Sequence, residues 1–133
     1  MTAAAFVHLH VHTEYSLVDS TVRIPALMAK AAADGMPAIA MTDRTNLFGL
    51  VKFYRRAIAA GVKPVIGADL RIATDDDPAR PFTLNVLCQD NQGARHPCRI
   101  ISRADREGRS RGEPRLRREW LDRESCEGLI ARS

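Results

Sequence analysis

Residues 6–12 alternate between apolar side chains and histidines, a pattern typical of a β-strand with one buried and one polar face. The polar positions are His8, His10 and His12. Because successive side chains on a strand point to opposite faces, the alternation predicts that the three imidazoles share one face. Val7, Leu9 and Val11 would then pack on the other.

The apolar pattern that follows predicts two helices and two further strands. A helix is expected to begin at Pro25 and to end at Gly35, and a continuous apolar run over 38–41 predicts a buried strand. A second helix is predicted over 47–60, and a strand over 62–67. The predicted inward face of that second helix is Leu47, Leu50, Val51, Tyr54 and Ile58.

The second half of the chain has a weaker pattern. It predicts a loop at 75–81, a strand over 82–88, a helix towards the end of 91–108 and an arginine-rich loop at 109–118. A short helical turn over 119–123 and a strand from 128 complete the order. Alternation of strands and helices indicates an α/β fold with right-handed parallel crossovers, in which chemistry gathers at the carboxyl ends of strands.

Chemistry-bearing residues follow the predicted strands in a consistent way. His10 and His12, then Asp43 and Arg44, then Asp69 all lie at or just after the predicted carboxyl ends. Neutral imidazole is the commonest protein metal ligand, and an H-x-H pair on a strand can hold one cation or bridge two. The pattern therefore predicts a shared metal site, to which Asp19 could add an oxygen ligand. The alternative is that the histidines are ordinary residues of a half-solvated strand.

Charge is distributed unevenly along the chain. The first 94 residues carry nine basic and nine acidic side chains, whereas residues 95–133 carry eleven arginines and seven acids. Arginine pairs with phosphate, so the second segment is compatible with nucleic acid nearby. The interspersed acids and the lack of interleaved aromatic residues favour a solvated, salt-bridged surface instead.

The three cysteines, Cys88, Cys98 and Cys126, contain no C-x-x-C pair, which argues against a disulfide framework and a zinc knuckle. The amino terminus lacks a basic segment followed by an apolar run, and no window is long and apolar enough to span a membrane. We expect a protein of the reducing cytoplasm.

Five segments carry a resemblance to a known family: FVHLHVHTEYSLVD, GMPAIAMTDRTNLFGLVKFYRRA, AGVKPVIGADL and the later DNQG and EWL. Together they resemble the amino-terminal PHP (polymerase and histidinol phosphatase) domain of bacterial replicative DNA polymerase III alpha subunits, which are C-family polymerases. The resemblance is densest over 6–73 and looser over the arginine-rich 95–133. It implies that residues 1–133 form the amino-terminal part of a distorted (β/α)7 PHP barrel that is incomplete in this chain.

The resemblance also implies a metal site, and this chain departs from the family pattern there. His10 and His12 match the H-x-H metal pair, and Asp19 matches a ligand acid. Asp69 stands where the family has glutamate. The metal-binding histidine of the T-D-H-G-N motif is replaced by Arg44 after Asp43, and Thr83 occupies a further histidine position, with His8 as an accessory residue.

These departures predict a vestigial centre with no catalytic residue assigned. Because the guanidinium group keeps its charge in proteins, it opposes a cluster of divalent cations. The sequence predicts that Arg44 replaces a metal by pairing with Asp43, Asp69 or Asp19. No cofactor is assigned firmly; residual Zn²⁺, Mn²⁺ or Mg²⁺ remains open, and the full-length polymerase would need Mg²⁺.

The implied function is that of a supporting domain in a replicative polymerase. Its expected partners are the rest of the alpha subunit, the proofreading exonuclease subunit, and DNA through the full-length holoenzyme. The first alternative is a stand-alone metal-dependent phosphoesterase, favoured by His10, His12 and Asp19. The second is a nucleic-acid-binding module built on the arginines after Arg95, which include Arg115, Arg117 and Arg118.

Overall fold

The computed structural model describes residues 5–17, 19–77, 79–90, 93–110 and 112–132. The longer elements are α1 (Ile24–Ala33), β1 (Ala38–Arg44), α2 (Leu50–Ala60), β2 (Lys63–Ala73), β3 (Phe82–Cys88) and α3 (Arg95–Glu107). The shorter elements are β4 (Arg109–Ser110), β5 (Glu113–Pro114), β6 (Leu116–Arg117), a 3₁₀ turn (Arg118–Trp120) and β7 (Leu129–Arg132). The order confirms a mixed α/β fold.

The main sheet is mixed rather than all parallel. Its strand order is β1-β2-β3-β7, with β6 beside β2, while β4 and β5 form a separate hairpin. β1 and β2 are parallel, as the crossover through α2 predicts, but β3 pairs antiparallel with β2, and β7 antiparallel with β3. The predicted parallel crossover between β1 and β2 is confirmed, whereas β3 follows β2 through a loop rather than a helix and runs antiparallel to it.

The histidine segment is extended but is not a regular strand, so the predicted first strand is corrected here. Two backbone hydrogen bonds attach it to β1: Ala40 N–H donates to the carbonyl of His8 at 2.9 Å, and Thr42 N–H donates to that of Val11 at 2.8 Å. Three residues on one side are thus matched by two on the other, as in a β-bulge. The segment reaches the sheet edge with its side chains out of strict alternation.

β2 is longer than predicted, and this places Asp69 inside the strand rather than just beyond its end. The strand continues to Ala73, and Asp69 pairs in register with Arg44 of β1 and Asn85 of β3. Its neighbours Ala68 and Leu70 are fully buried. Asp69 is therefore positioned by two neighbouring strands, and not by a loop.

The two longest predicted helices are present, with one error of orientation. α1 has proline in its first turn and Gly35 in the left-handed region after its end, while Gly61, with a φ of 72°, ends α2. α2 begins at Leu50, three residues later than predicted. Its buried residues are Phe53 and Ala57. Of the predicted inward face, Leu47 and Leu50 pack half-buried against the hydrophobic clusters, but the prediction is wrong for the exposed Val51, Tyr54 and Ile58.

Two hydrophobic clusters pack along one face of the sheet, because Ile66, Ala68 and Leu70 alternate onto the same side of β2. One joins α1 and α2 to β1 through Ile24, Met28, Ile39, Met41 and Phe53. The other joins α3 and β6 to β2 and β3 through Leu70, Val86, Ile100, Ala104 and Leu116. All five central residues of β1 are buried, in keeping with the continuous apolar run at 38–41.

All three cysteines are free thiols, as predicted from their number and spacing. Burial raises the pKa of the Cys88 thiol to about 11, and this keeps it protonated and unreactive at neutral pH. Within the described residues, no helix has the length and apolarity to cross a bilayer.

Candidate metal centre

Three potential ligands converge where the side chains of the histidine segment, which is hydrogen-bonded to β1, meet Asp69 of β2. Nε2 of His10 and Nε2 of His12 each lie 2.5 Å from the same carboxylate oxygen, Oδ2 of Asp69. One ligand atom from each residue falls within 4.8 Å of the others, as the donors around one metal ion do. The structure thus brings together three of the four residues predicted to form the metal site.

Burial differs sharply within this group. Asp69 is 2% exposed and fixed within the sheet, whereas the side chain of His10 is 54% exposed. The rings of His10 and His12 meet edge to face, with centroids 5.2 Å apart. The carboxylate is therefore the rigid member, and the imidazoles approach it from the solvent side.

Asn85 supports the carboxylate and was missed by the sequence analysis. Its Nδ2 donates to Oδ1 of Asp69 at 2.8 Å, which leaves Oδ2 for the histidines. The amide oxygen of Asn85 is buried and has no hydrogen-bond partner within the described part of the chain. No local sequence signal marked Asn85, because it meets Asp69 only through the register of β2 and β3. A partner that orients a ligand in this way is typical of metal sites.

Asp19 is the fourth predicted ligand, and it is engaged by a cation of the protein itself. Nη2 of Arg44 lies 2.9 Å from Oδ2 of Asp19, and the same oxygen is 3.6 Å from Nδ1 of His12. The sequence predicted that Arg44 pairs with Asp43, Asp69 or Asp19, and in the structure it pairs with Asp19. The guanidinium group of Arg44 is therefore connected to His12 through a single intervening side chain, that of Asp19.

A second acidic side chain extends this ion-pair cluster. Glu113, on β5, lies 3.9 Å from Nη1 of Arg44, 3.4 Å from Nε of Arg71 and 3.8 Å from Nε of Arg115. Arg115 is buried, so it serves this cluster and is not presented to solvent as a nucleic-acid-binding side chain. Nothing in the local sequence of Glu113 distinguished it from the other acids of the arginine-rich segment.

Asp43 is fully buried and belongs to the support of the site. Its carboxylate accepts hydrogen bonds from the backbone N–H and the hydroxyl of Thr13, at 2.6 and 2.7 Å, and from the hydroxyl of Ser16 at 2.7 Å. Ser16 in turn accepts from the backbone N–H of Arg44 at 3.0 Å. These contacts fix the loop that follows His12.

The two remaining predicted residues lie outside the converging group. His8 is exposed and stacks edge to face on Phe6, with centroids 4.7 Å apart. The hydroxyl of Thr83 accepts a hydrogen bond from Nη1 of Arg71 at 2.9 Å. Arg71 thereby links Thr83 to Glu113 and so to the ion-pair cluster.

Comparison with known families gives one match over almost the whole chain. The sequence pattern of the PHP domain matches residues 8–133. That interval contains the converging histidines, the acids and the ion-pair cluster.

The most similar curated relatives include several polymerase subunits. The DNA polymerase III subunits alpha of Pseudomonas aeruginosa and Escherichia coli are each 44% identical to this chain, over 129 and 130 residues respectively. These alignments cover 97% and 98% of the chain, but 11% of each relative. The chain therefore spans about a tenth of the length of these relatives.

Solved structures with the same fold share little sequence with it. A protein described as a metal-dependent phosphoesterase, from Bifidobacterium adolescentis, superposes with a TM-score of 0.55 at 19% identity, over 74% of this chain and 32% of that one. An amidohydrolase from Chromobacterium violaceum, with bound sulfate and no metal, gives 0.59 at 18%, over 75% and 33%. At this identity the likeness is one of fold alone.

Proposed function

The chain belongs to the PHP domain family, and from this premise we propose that it is the amino-terminal part of a bacterial DNA polymerase III alpha subunit, where it serves as a scaffold. Identity of 44% to such subunits along nearly the whole chain supports this proposal. The complete domain would be a distorted (β/α)7 barrel, of which this chain supplies the first part. Cytoplasmic location follows from the same assignment.

Polymerase activity belongs, in this proposal, to the parent subunit. Template-directed DNA synthesis uses two metal ions held by carboxylates of a palm domain, and these activate the primer 3′-hydroxyl. The carboxylates described above are engaged by histidine, arginine, threonine and serine side chains instead. The partners we propose are the rest of the subunit, the proofreading exonuclease subunit that docks on the PHP domain, and DNA through the holoenzyme.

The ion pair between Arg44 and Asp19 carries the proposal that the metal centre is degenerate. Two unit charges of the same sign about 4 Å apart repel by about 4 kcal/mol at an effective dielectric constant near 20, and a divalent cation roughly doubles that. A permanent guanidinium charge beside the histidine pair therefore opposes a metal cluster. With Asp19 already paired, the cluster also lacks one oxygen ligand.

A single cation nevertheless fits the group formed by His10, His12 and Asp69. Two imidazole nitrogens and one carboxylate oxygen suit Zn²⁺ or Mn²⁺ better than Mg²⁺, which prefers oxygen ligands throughout. When bound, such an ion would polarise a phosphoryl oxygen or a water molecule. Asn85 would hold the carboxylate in position, and Asp19 would orient the ring of His12 through Nδ1.

The test is the number of divalent ions that the chain binds. We expect at most one Mn²⁺ or Zn²⁺ per chain by calorimetric titration, with binding abolished in His10→Ala. Arg44→His removes the repulsion, frees Asp19 and adds an imidazole, so it should raise the number bound. Arg80→His, at an exposed arginine paired with Asp77, is the matched control and should leave it unchanged.

Two or more tightly bound ions in the unaltered chain, lost on chelation together with phosphoesterase activity, would contradict the proposal. That result would favour the second candidate, a metal-dependent phosphoesterase, which the convergence of His10, His12 and Asp69 supports. Hydrolysis of p-nitrophenyl phosphate with added Mn²⁺ or Zn²⁺, abolished by His10→Ala, is the decisive assay.

A further inference from the structure

The two oxygens of the Asp69 carboxylate have different partners. Nε2 of His10 and Nε2 of His12 both lie 2.5 Å from Oδ2, whereas Oδ1 accepts the hydrogen bond from Nδ2 of Asn85 at 2.8 Å. The Asp69 side chain is 2% exposed, so water has little access to it. Oδ1 is therefore held by the protein, and Oδ2 is the oxygen that Asp69 can present to a cation between the histidines.

Asn85 is positioned as firmly as the carboxylate that it contacts. It is 6% exposed and lies within β3, where it pairs in register with Asp69 of β2 on one side and with Arg132 of β7 on the other. The hydrogen bond between Asn85 and Asp69 thus joins two directly opposed residues of paired strands. The sheet itself keeps the amide against Oδ1 of the carboxylate.

The orientation of the Asn85 amide is determined by the carboxylate. The amide oxygen is buried and has no hydrogen-bond partner among the described residues, which is unfavourable for a polar atom. The reversed amide would place this oxygen against Oδ1 of Asp69, so that two acceptors would face each other. Donation to Asp69 therefore outweighs the unsatisfied acceptor on Asn85.

This arrangement limits the number of protein atoms that a cation can bind here. His10 and His12 offer one nitrogen each, Asp69 offers Oδ2, and no other acidic side chain of the described residues belongs to the group. Three protein ligands with one position left for water is the composition of four-coordinate Zn²⁺ sites that keep an open position. Mn²⁺ favours a higher coordination number with more oxygen ligands, which a carboxylate coordinating through both oxygens helps to supply.

We propose that Asn85 determines which cation this centre prefers: by occupying Oδ1, it restricts Asp69 to one coordinating oxygen and thereby favours Zn²⁺ over Mn²⁺. The inference rests on the proposed single-cation centre and names the cation that it takes. Asn85 acts through Asp69, so it is a positioning residue and not itself a ligand. Removal of such a supporting partner typically changes metal affinity by about 10–100-fold.

The test compares the dissociation constants of Zn²⁺ and Mn²⁺, each measured alone by calorimetric titration of the full chain. Asn85→Leu keeps the approximate side-chain volume and removes the donor. Oδ1 of Asp69 then becomes available to the cation, so the preference for Zn²⁺ over Mn²⁺ should fall at least about tenfold. A merely structural Asn85 would instead weaken the binding of both cations equally and leave the preference unchanged.

Asn46→Leu is the matched control. Asn46 is also buried, and its amide bonds backbone groups of Tyr15, Arg44 and Phe48 rather than a carboxylate. Its replacement should lower stability and leave the ratio of the two dissociation constants within about twofold of that of the unaltered chain.

Co²⁺, as a spectroscopic substitute for Zn²⁺, reports the coordination number directly. The unaltered chain should give the intense visible absorption of a four-coordinate ion, and Asn85→Leu the weak absorption of a six-coordinate one. Should Asn85→Leu fail to fold, Asn85→Ala removes the same donor with less apolar bulk. The Co²⁺ spectrum of the unaltered chain is decisive without any variant.

Four outcomes would overturn the inference. They are an unchanged cation preference in a folded Asn85 variant, an equal change in Asn46→Leu, a six-coordinate Co²⁺ spectrum in the unaltered chain, and no binding of either cation to it. Cation number and cation choice are separate readouts. Two ions bound, with the Zn²⁺ preference lost in Asn85→Leu, would contradict the degenerate centre and support this inference, whereas one ion bound with an unchanged preference would do the reverse.

Discussion

Among the carboxylates of this chain, Asp43 and Asp69 are both buried, yet their surroundings give them different roles. Asp43 accepts three hydrogen bonds from Thr13 and Ser16, and none of these donors belongs to a histidine. Asp69 is shared by two imidazoles and one amide. The first is a structural anchor for the loop, while the second is the ligand-like group. Sequence spacing alone grouped them together, because both follow the apolar core of a strand.

Asp43→Asn should lower the free energy of unfolding by about 1.5–3 kcal/mol, the usual range for hydrogen bonds to a charged group. In the asparagine variant, an amide nitrogen would replace one of the two oxygens that accept hydrogen bonds. Two donors would then face each other, and the loop after His12 would lose part of its attachment to β1. Chemical denaturation measures the change. Asp105→Asn, at an exposed ion pair with Arg109, is the control and should cost less than about 0.5 kcal/mol. Equal losses in the two variants would refute the anchoring role.

At the scale of elements, the site depends on β2, because this strand carries Asp69. Neighbouring strands approach the backbone of β2 closely at Gly67. A Cβ atom at Gly67 would lie 2.4 Å from the carbonyl oxygen of Val86 and 3.0 Å from Cγ2 of Thr42. Close backbone approach therefore requires glycine there. Two residues later, the same strand pair holds Asp69 opposite Asn85.

Gly67→Ala should cost about 1–3 kcal/mol of stability by overpacking and should separate β2 from β3. The side-chain amide resonances of Asn85 should shift in NMR spectra, because its hydrogen bond to Asp69 spans the two strands. Gly35→Ala is the comparison: its φ of 70° makes alanine unfavourable by about 1–2 kcal/mol, but nothing lies within 4 Å of its Cβ. If both variants leave the Asn85 resonances in place, the packing argument is wrong.

The sequence predicted most elements here because their determinants are local. Proline in the first turn of α1, glycine after α1 and α2, and the apolar run of β1 each act within a few residues. The direction of β3 and the outward face of α2 depend on which surfaces meet in three dimensions. Val51 and Ile58 fit an inward stripe by period, but Phe53 and Ala57 fill the space against the core instead. Asn85 and Glu113 could not be predicted as site residues, because their contacts with Asp69 and Arg44 form between segments that are distant in the sequence.

At the scale of the whole molecule, the sheet has an exposed edge at β7. Within the described residues this strand pairs only with β3, and its Ile130 is 46% exposed. Unpaired backbone groups beside an apolar side chain favour pairing with another chain.

We expect the chain in isolation to associate as its concentration rises, and Ile130→Lys to reduce this association by placing a charge on the edge. Analytical ultracentrifugation measures the effect. Leu17→Lys, at an exposed apolar residue outside the sheet, is the control and should leave association unchanged. A monomeric, cooperatively melting sample of the unaltered chain would contradict this expectation.

His10 and Asp69 are 59 residues apart in the chain, yet they share one hydrogen bond at the sheet edge. A cation bound by both residues would join two distant parts of the polypeptide. Metal binding would then be coupled to folding, because only the folded chain brings the two ligands together. Scarcity of that metal in a growing cell would then reduce the abundance of the protein through proteolytic turnover, before any chemical step was affected.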